Sequence, residues 1–333
     1  MQVYGDVAEQ YADFARHAGD SPCFEAWAQA VAADEEVLAW LAPLPPGKAQ
    51  PNLVFAAARW HGVPAPGPYD GLRRALLEEP ERAAAIRATI LARRTQTNEV
   101  GRLATLVPAF TALGLAEPVA LLEVGPSAGL VLYPDRWSYA WERDGEVVTA
   151  GSGPGPLRCR VRGPAPLPDP DLAALPSIAW RGGVDLNPLD VTDPDAMAWL
   201  ETLVWSEQDA RRERLREAVE VARADPPDLR AGDLLTHLPA LVEEASAHGP
   251  VVVFHTAVIA YLEQPDRERF HDLMTDLVAS GACRWVSNEG HRVLPRVTAT
   301  GPEVPAGGVP FVLGIDGRAV GWTHGHGRWL TWH

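Results

Sequence analysis

The run Val119-Ala120-Leu121-Leu122-Glu123-Val124 is apolar except for one acid, and it breaks at once into Gly125-Pro126-Ser127-Ala128-Gly129 before apolar residues resume at Leu130. A short apolar run bounded by glycine reads as a buried strand, so the junction predicts a strand, a tight loop and the start of a helix. Glycine tolerates positive φ and lets the backbone approach a ligand, while the first turn of a helix offers unpaired N–H groups to an electronegative group. Two chemistries use such a junction. One is the binding of a nucleoside-bearing cofactor in the crevice of a doubly wound sheet. The other is the nucleophile elbow Gly-x-Ser-x-Gly, which Gly125, Ser127 and Gly129 match letter for letter.

The surrounding pattern sets the architecture. Residues 1 to about 115 read as helical, with apolar positions three and four apart in Val7–Ala18, Phe24–Leu41 and Leu72–Leu91, interrupted at Pro43–Gly47 and Gly62–Gly71. From Pro118 onward, β-rich runs (119–124, 177–184, 251–255, 284–287, 311–315) alternate with helical ones at about 194–203, 207–224 and 234–245. That alternation implies a parallel sheet. Asp316-Gly317 between two β-rich runs signals a final hairpin. The expectation is therefore a helical cap region over 1–115. A Rossmann-like, doubly wound, mostly parallel α/β domain follows over 116–333, with an antiparallel C-terminal hairpin and a hairpin-and-loop insert at about 137–176.

Composition narrows the partners. A formal net charge of −15 speaks against a nucleic-acid surface, because neutralising phosphates requires clustered Lys and Arg. Lys48 is the sole lysine, which reads as a coding bias rather than a function. No uninterrupted apolar run is long enough to span a bilayer and residues 1–20 lack a signal pattern, so a cytoplasmic protein is expected. Cys23, Cys159 and Cys283 have neither metal-ligand nor disulfide spacing, and His324-Gly325-His326 without spaced acids or cysteines makes no metal site.

Site residues follow from the frame. In the cofactor reading Gly125 makes the turn, Ser127, Ala128 and Gly129 face the ligand, and Glu123 fixes a water or an amino group. Asp185, at the tip of the next strand, would hold ribose hydroxyls, and Asp233 would reach the adenine amino group. Phe254-His255-Thr256 closes the fourth strand, where catalytic groups of this architecture project, which makes His255 the candidate base. Gln96, Asn98, Glu99 and Arg102 form a polar cluster on a helix or at its end. If that segment crosses the mouth of the sheet, Asn98 and Glu99 meet the substrate, and Arg102 binds an anion or Glu123. Trp205 beside a polar turn would wall a pocket, and Arg211–Arg216 offers an anion-binding face. Asp185 as a turn former, Asp233 as a helix cap, His255 as a core histidine and the polar cluster as a solvated face are the plain structural alternatives.

Strand, acids and final hairpin in this order resemble the class I S-adenosylmethionine-dependent methyltransferases, whose sheet ends in such a hairpin. A closer resemblance spans roughly residues 5–330. Thr95-Gln96-Thr97-Asn98-Glu99-Val100-Gly101-Arg102, Leu122–Gly125 with Ser127–Leu130, Asp135-Arg136, Gly183–Asp190, Val204-Trp205 and Ser287–Gly290 look like the bacterial family catalogued as domain of unknown function 2332. That family implies no established reaction. The expected function is methyl transfer from S-adenosylmethionine to a small or medium-sized acceptor. The alternatives are a serine hydrolase using Ser127, with His324 or His326 and an acid such as Asp266 or Glu289, or a non-catalytic module that binds a nucleotide or a protein.

Overall fold

A computed structural model of the chain describes residues 6–115, 117–168, 177–305 and 309–333. The first seven helices are α1 (Val7–His17), α2 (Pro22–Ala33), α3 (Glu35–Leu41), α4 (Pro51–Trp60), α5 (Tyr69–Leu77), α6 (Pro80–Ala92) and α7 (Leu103–Ala112). Strands β1 (Val119–Val124), β2 (Tyr139–Arg143), β3 (Glu146–Ala150), β4 (Leu157–Arg162) and β5 (Ile178–Asp185) follow, then α8 (Pro194–Leu203), α9 (Asp209–Ala224), β6 (Asp228–Ala231) and α10 (Leu234–Ala245). The chain closes with β7 (Val251–Thr256), α11 (Gln264–Ala279), β8 (Arg284–Gly290), α12 (Pro295–Thr298), β9 (Phe311–Ile315), β10 (Arg318–Thr323) and β11 (Trp329–Trp332). No helix among the described residues is long and apolar enough to cross a membrane.

Two compact units divide these elements. One holds the residues up to Thr97 with Asp193–Arg216, the other Asn98–Thr192 with Glu217–His333.

In the helical unit, two of the expected helices are each split in two for local reasons. Asp34 interrupts 24–41, because its carboxylate accepts the N–H groups of Glu36 and Val37 and starts a new helix. Pro80 interrupts 72–91 and opens α6 as its first residue. The core of this unit is aromatic, with Tyr11, Phe24 and Trp27 packed edge-on around or against Phe55. Glu207 ties α2 to the turn before α9, accepting from Ser21 Oγ at 2.6 Å and Cys23 N at 2.8 Å.

In the other unit the described strands form one eleven-stranded sheet of order β3-β2-β4-β11-β10-β9-β8-β7-β1-β5-β6. Strands β6, β5, β1, β7 and β8 are parallel neighbours, and β9 joins β8 antiparallel, with β10 returning against β9. Numbered in order of appearance, the parallel strands run 3-2-1-4-5, so the winding reverses between β1 and β7, where a doubly wound sheet opens a crevice at its carboxyl edge. The expected insert supplies β2, β3 and β4, and β4 joins the rest of the sheet by pairing parallel with β11. The part of it at 169–176 lies outside the described residues.

Strand alternation assigns every side chain to one face. Ala120, Leu122, Val124, Val251, Val253 and Trp285 pack into one core with α10 and α11. The other face carries Phe254, whose ring meets Phe110 of α7 edge-on at 5.6 Å. In register with Phe254, Glu123 lies on that second face.

Candidate functional site at the carboxyl edge of the parallel strands

Glu123, the penultimate residue of β1, has 3% of its surface exposed, and its Oε2 has no hydrogen-bond partner. Burial pushes its carboxyl group up to about 8; the Arg102 guanidinium opposes the rise and Asp185 adds to it. At neutral pH the group is therefore mostly protonated and able to donate.

Residues 98–102, read from sequence as a helix or its end, or else as a segment across the mouth of the sheet, form no α-helix; they run along the carboxyl edge with a single 3-10 turn at 100–102. Asn98 Oδ1 accepts Leu130 N at 3.1 Å, just beyond β1. Arg102 donates from Nη1 to Thr256 O at 3.2 Å at the tip of β7, and from Nε to Gly325 O at 2.8 Å after β10. Glu99, buried, accepts Gly101 N at 3.0 Å and so starts the turn that aims Arg102. These contacts give Asn98 and Glu99 positioning work where sequence suggested contact with substrate. Gln96 and Trp205 belong to the helical unit, where the Trp205 indole donates to Asn52 Oδ1 at 2.9 Å and packs on Phe14 and Phe24.

The glycine loop departs from expectation in one respect. No α-helix follows β1 directly; residues 127–131 are turns, closed by Gly129 N to Pro126 O at 2.8 Å, and a single 3-10 turn comes only at 134–136. The reason is local. Gly125, Ser127 and Gly129 all have positive φ, so no right-handed helix includes residues 125–129. Asp185, half-buried at the tip of β5, holds this conformation, its Oδ2 accepting Ser127 N at 2.9 Å and its Oδ1 accepting Asn187 N at 2.8 Å. Ala128 is completely buried, so its side chain packs inside the loop. Asp233 is exposed and caps α10 through Thr236 N at 3.2 Å.

The turn after β7 meets this loop at Gly125. A Cβ there would lie 2.1 Å from Val258 Cγ2, and φ is +68°. Gly125→Ala should cost about 3 kcal/mol, combining that clash with the left-handed penalty. Gly62→Ala is the matched control, with φ +81° and nothing within 4 Å of its Cβ, and should cost about 1 kcal/mol. Urea denaturation of both variants checks this, and equal losses would mean that Val258 does not constrain the loop.

His255 is removed from the site by one step of the pleat. It lies on the α11 face, fully buried, with Trp285 Nε1–H donating to its Nε2 at 3.0 Å and its Nδ1 2.8 Å from Glu289 Oε1. An indole N–H only donates, so Nε2 keeps its lone pair and Nδ1 carries the proton given to Glu289. The imidazole is neutral with both nitrogens engaged, an arrangement that corrects the expectation of a general base. Glu289 also accepts Val258 N and Ile259 N, at 3.0 and 3.2 Å, and thereby shapes the turn after β7.

Sequence reasoning passed over three polar residues. Thr256, Asn288 and Thr323 sit at the carboxyl edge on the Glu123 face, and Thr323 Oγ1 donates to Asn288 Oδ1 at 2.7 Å. The available signal was alternation, which puts His255 and Thr256 on opposite faces of β7; which of them shares the Glu123 face is set by the register of β1 and β7.

A parallel doubly wound sheet with the buried side chain of Glu123 beside its reversal point and an arginine-bearing segment along its carboxyl edge defines a Rossmann-like α/β protein. The chain belongs to the family described as an uncharacterized protein conserved in bacteria, domain of unknown function 2332, which matches over residues 8–332. No curated protein and no solved structure matches it.

Proposed function

We propose that this protein is an S-adenosylmethionine-dependent methyltransferase-like enzyme acting on a small or medium-sized acceptor. The observation that carries the reading is the 3-2-1-4-5 strand order with the acid Glu123 and the glycine loop at the tip of its first strand, beside the reversal point. Asp185 at the tip of the second strand gives one lone pair of each oxygen to the loop, and each oxygen keeps a second for a ribose hydroxyl. Methyl transfer asks chiefly for in-line positioning and exclusion of water, and for a base only where the acceptor has a proton to lose.

Calorimetric titration with S-adenosylhomocysteine, with adenosine and a nicotinamide dinucleotide as controls, tests this. Saturable micromolar binding is expected, weakened about tenfold or more in Asp185→Asn, which loses the charge and keeps only one of the two acceptors for the loop. Absence of binding by folded protein, or equal affinity for the dinucleotide, would remove the cofactor assignment.

One observation favours a serine hydrolase as the second reading: Ser127 has φ +54° within Gly-x-Ser-x-Gly, the kind of sharp turn on which an elbow serine sits. Against it, no α-helix follows directly to supply an oxyanion site, and Nδ1 of His324 already accepts His326 N at 2.9 Å. Covalent labelling by a fluorophosphonate, lost in Ser127→Ala, would establish it.

A further inference from the structure

Among the described residues, the strands β1, β7 and β8 carry three polar side-chain atoms on the Glu123 face of their carboxyl edge that are buried without a hydrogen-bond partner: Glu123 Oε2, Thr256 Oγ1 and Asn288 Nδ2. Their residues are 3%, 7% and 0% exposed. They stand on three adjacent parallel strands, β1, β7 and β8, and on one face. Thr256 is the register neighbour of Asn288, and Glu123 pairs with Phe254, one pleat repeat before Thr256. Arg102 ties the group together, donating to the carbonyl of Thr256 and acting electrostatically on Glu123. An unmet buried polar atom is destabilising, and three on one face of adjacent strands describe a place made to receive something.

The polarity of the place identifies what fits. Thr323 Oγ1 donates to Asn288 Oδ1 at 2.7 Å, which fixes the amide so that Nδ2 presents its N–H groups to the unfilled side. Thr256 offers a hydroxyl, and a protonated Glu123 offers a second O–H. The donors thus outnumber the acceptors. Formal charge is not positive, because the single Arg102 guanidinium shares this edge with two acids, Glu99 and Asp185. An anion gains little there, and an ammonium finds too few acceptors.

We propose that Glu123, Thr256 and Asn288 form a subsite for an uncharged carbonyl oxygen, that of an amide or lactam, on the face of the sheet covered by α7. The carbonyl's two lone pairs take an N–H of Asn288 and an O–H of Thr256 or Glu123. This rests on the reading of the carboxyl edge as a small-molecule site, and it needs no particular cofactor.

The test is calorimetric titration of the full chain with acetamide, nicotinamide and 2-pyrrolidone, alongside acetate and ethylamine, with and without saturating S-adenosylhomocysteine. Saturable millimolar binding of the amides is expected, at least tenfold tighter than acetate or ethylamine. Thr256→Val, which keeps the side-chain shape, and Asn288→Leu should each weaken it about tenfold. Binding that survives both substitutions unchanged, a preference for acetate, or a crystal structure grown with amide that shows only water bridging the three atoms would overturn the subsite. Amide binding without S-adenosylhomocysteine binding would leave the subsite standing and remove the cofactor reading; the reverse would remove the subsite alone.

Discussion

Glu123→Gln should abolish a large part of the pH dependence of stability between about pH 4.5 and 8. In the folded chain the carboxyl group holds its proton up to about 8, against an ordinary 4.5, because burial penalises the charged form. Between those two values the unfolded chain has released the proton and the folded chain has kept it. Unfolding then releases a proton, so stability falls as pH rises, by about 1.4 kcal/mol per pH unit for one such group. Below this window both states are protonated and above it both are ionised, and the contribution no longer changes. Glutamine reproduces the shape and the donor of the protonated acid and cannot ionise. Denaturant midpoints of parent and variant, measured from pH 4.5 to 9, should converge at the acid end and separate progressively toward pH 8, with the variant more stable. Parallel curves would show that Glu123 is ionised in the folded chain, and the donor role assigned to it would go with that result.

His255→Ala should cost about 3–5 kcal/mol while leaving ligand binding by the folded protein unchanged. Removal of the imidazole strands two buried partners at once, the Trp285 N–H and the Glu289 carboxylate, on the face of the sheet away from Glu123. His255→Asn retains a donor toward Glu289 and loses only the acceptor for Trp285, so its loss should be smaller. The comparison by chemical denaturation separates a structural histidine from a catalytic one. If alanine were tolerated without loss of stability while binding or turnover collapsed, His255 would return to the list of reacting groups and the face assignment would fail.

The two predictions show where reading from residues stopped. β1, β9, α8 and α10 were legible with their observed bounds, and β10 as the return strand of the hairpin, because apolar alternation, helical spacing and an Asp-Gly turn are local signals. β6 and β11 were not. Asp228–Ala231 and Trp329–Trp332 are four residues each, and Asp228-Leu229-Arg230-Ala231 has too little apolar character to announce a strand. The helix expected after Gly129 failed for another reason. Its signal was real, but Asp185 draws the Ser127 N–H into a bond 58 residues away, which fixes a turn no local propensity encodes.

The candidate site divides along the same line. Sequence by itself determined the class of fold, the crevice-forming junction, and the presence of Glu123, Asp185 and Arg102 at or near it, since each is marked by its neighbours along the chain. Only tertiary structure decided that Glu123 faces Thr256 and Asn288, that His255 turns to Glu289 and Trp285 on the other side, and that Asn98 and Asp185 serve the loop. Which face a strand residue presents is a local matter of odd or even position. Which residues share that face depends on the order and register of strands far apart in the chain, and those are set by the packing of the whole sheet.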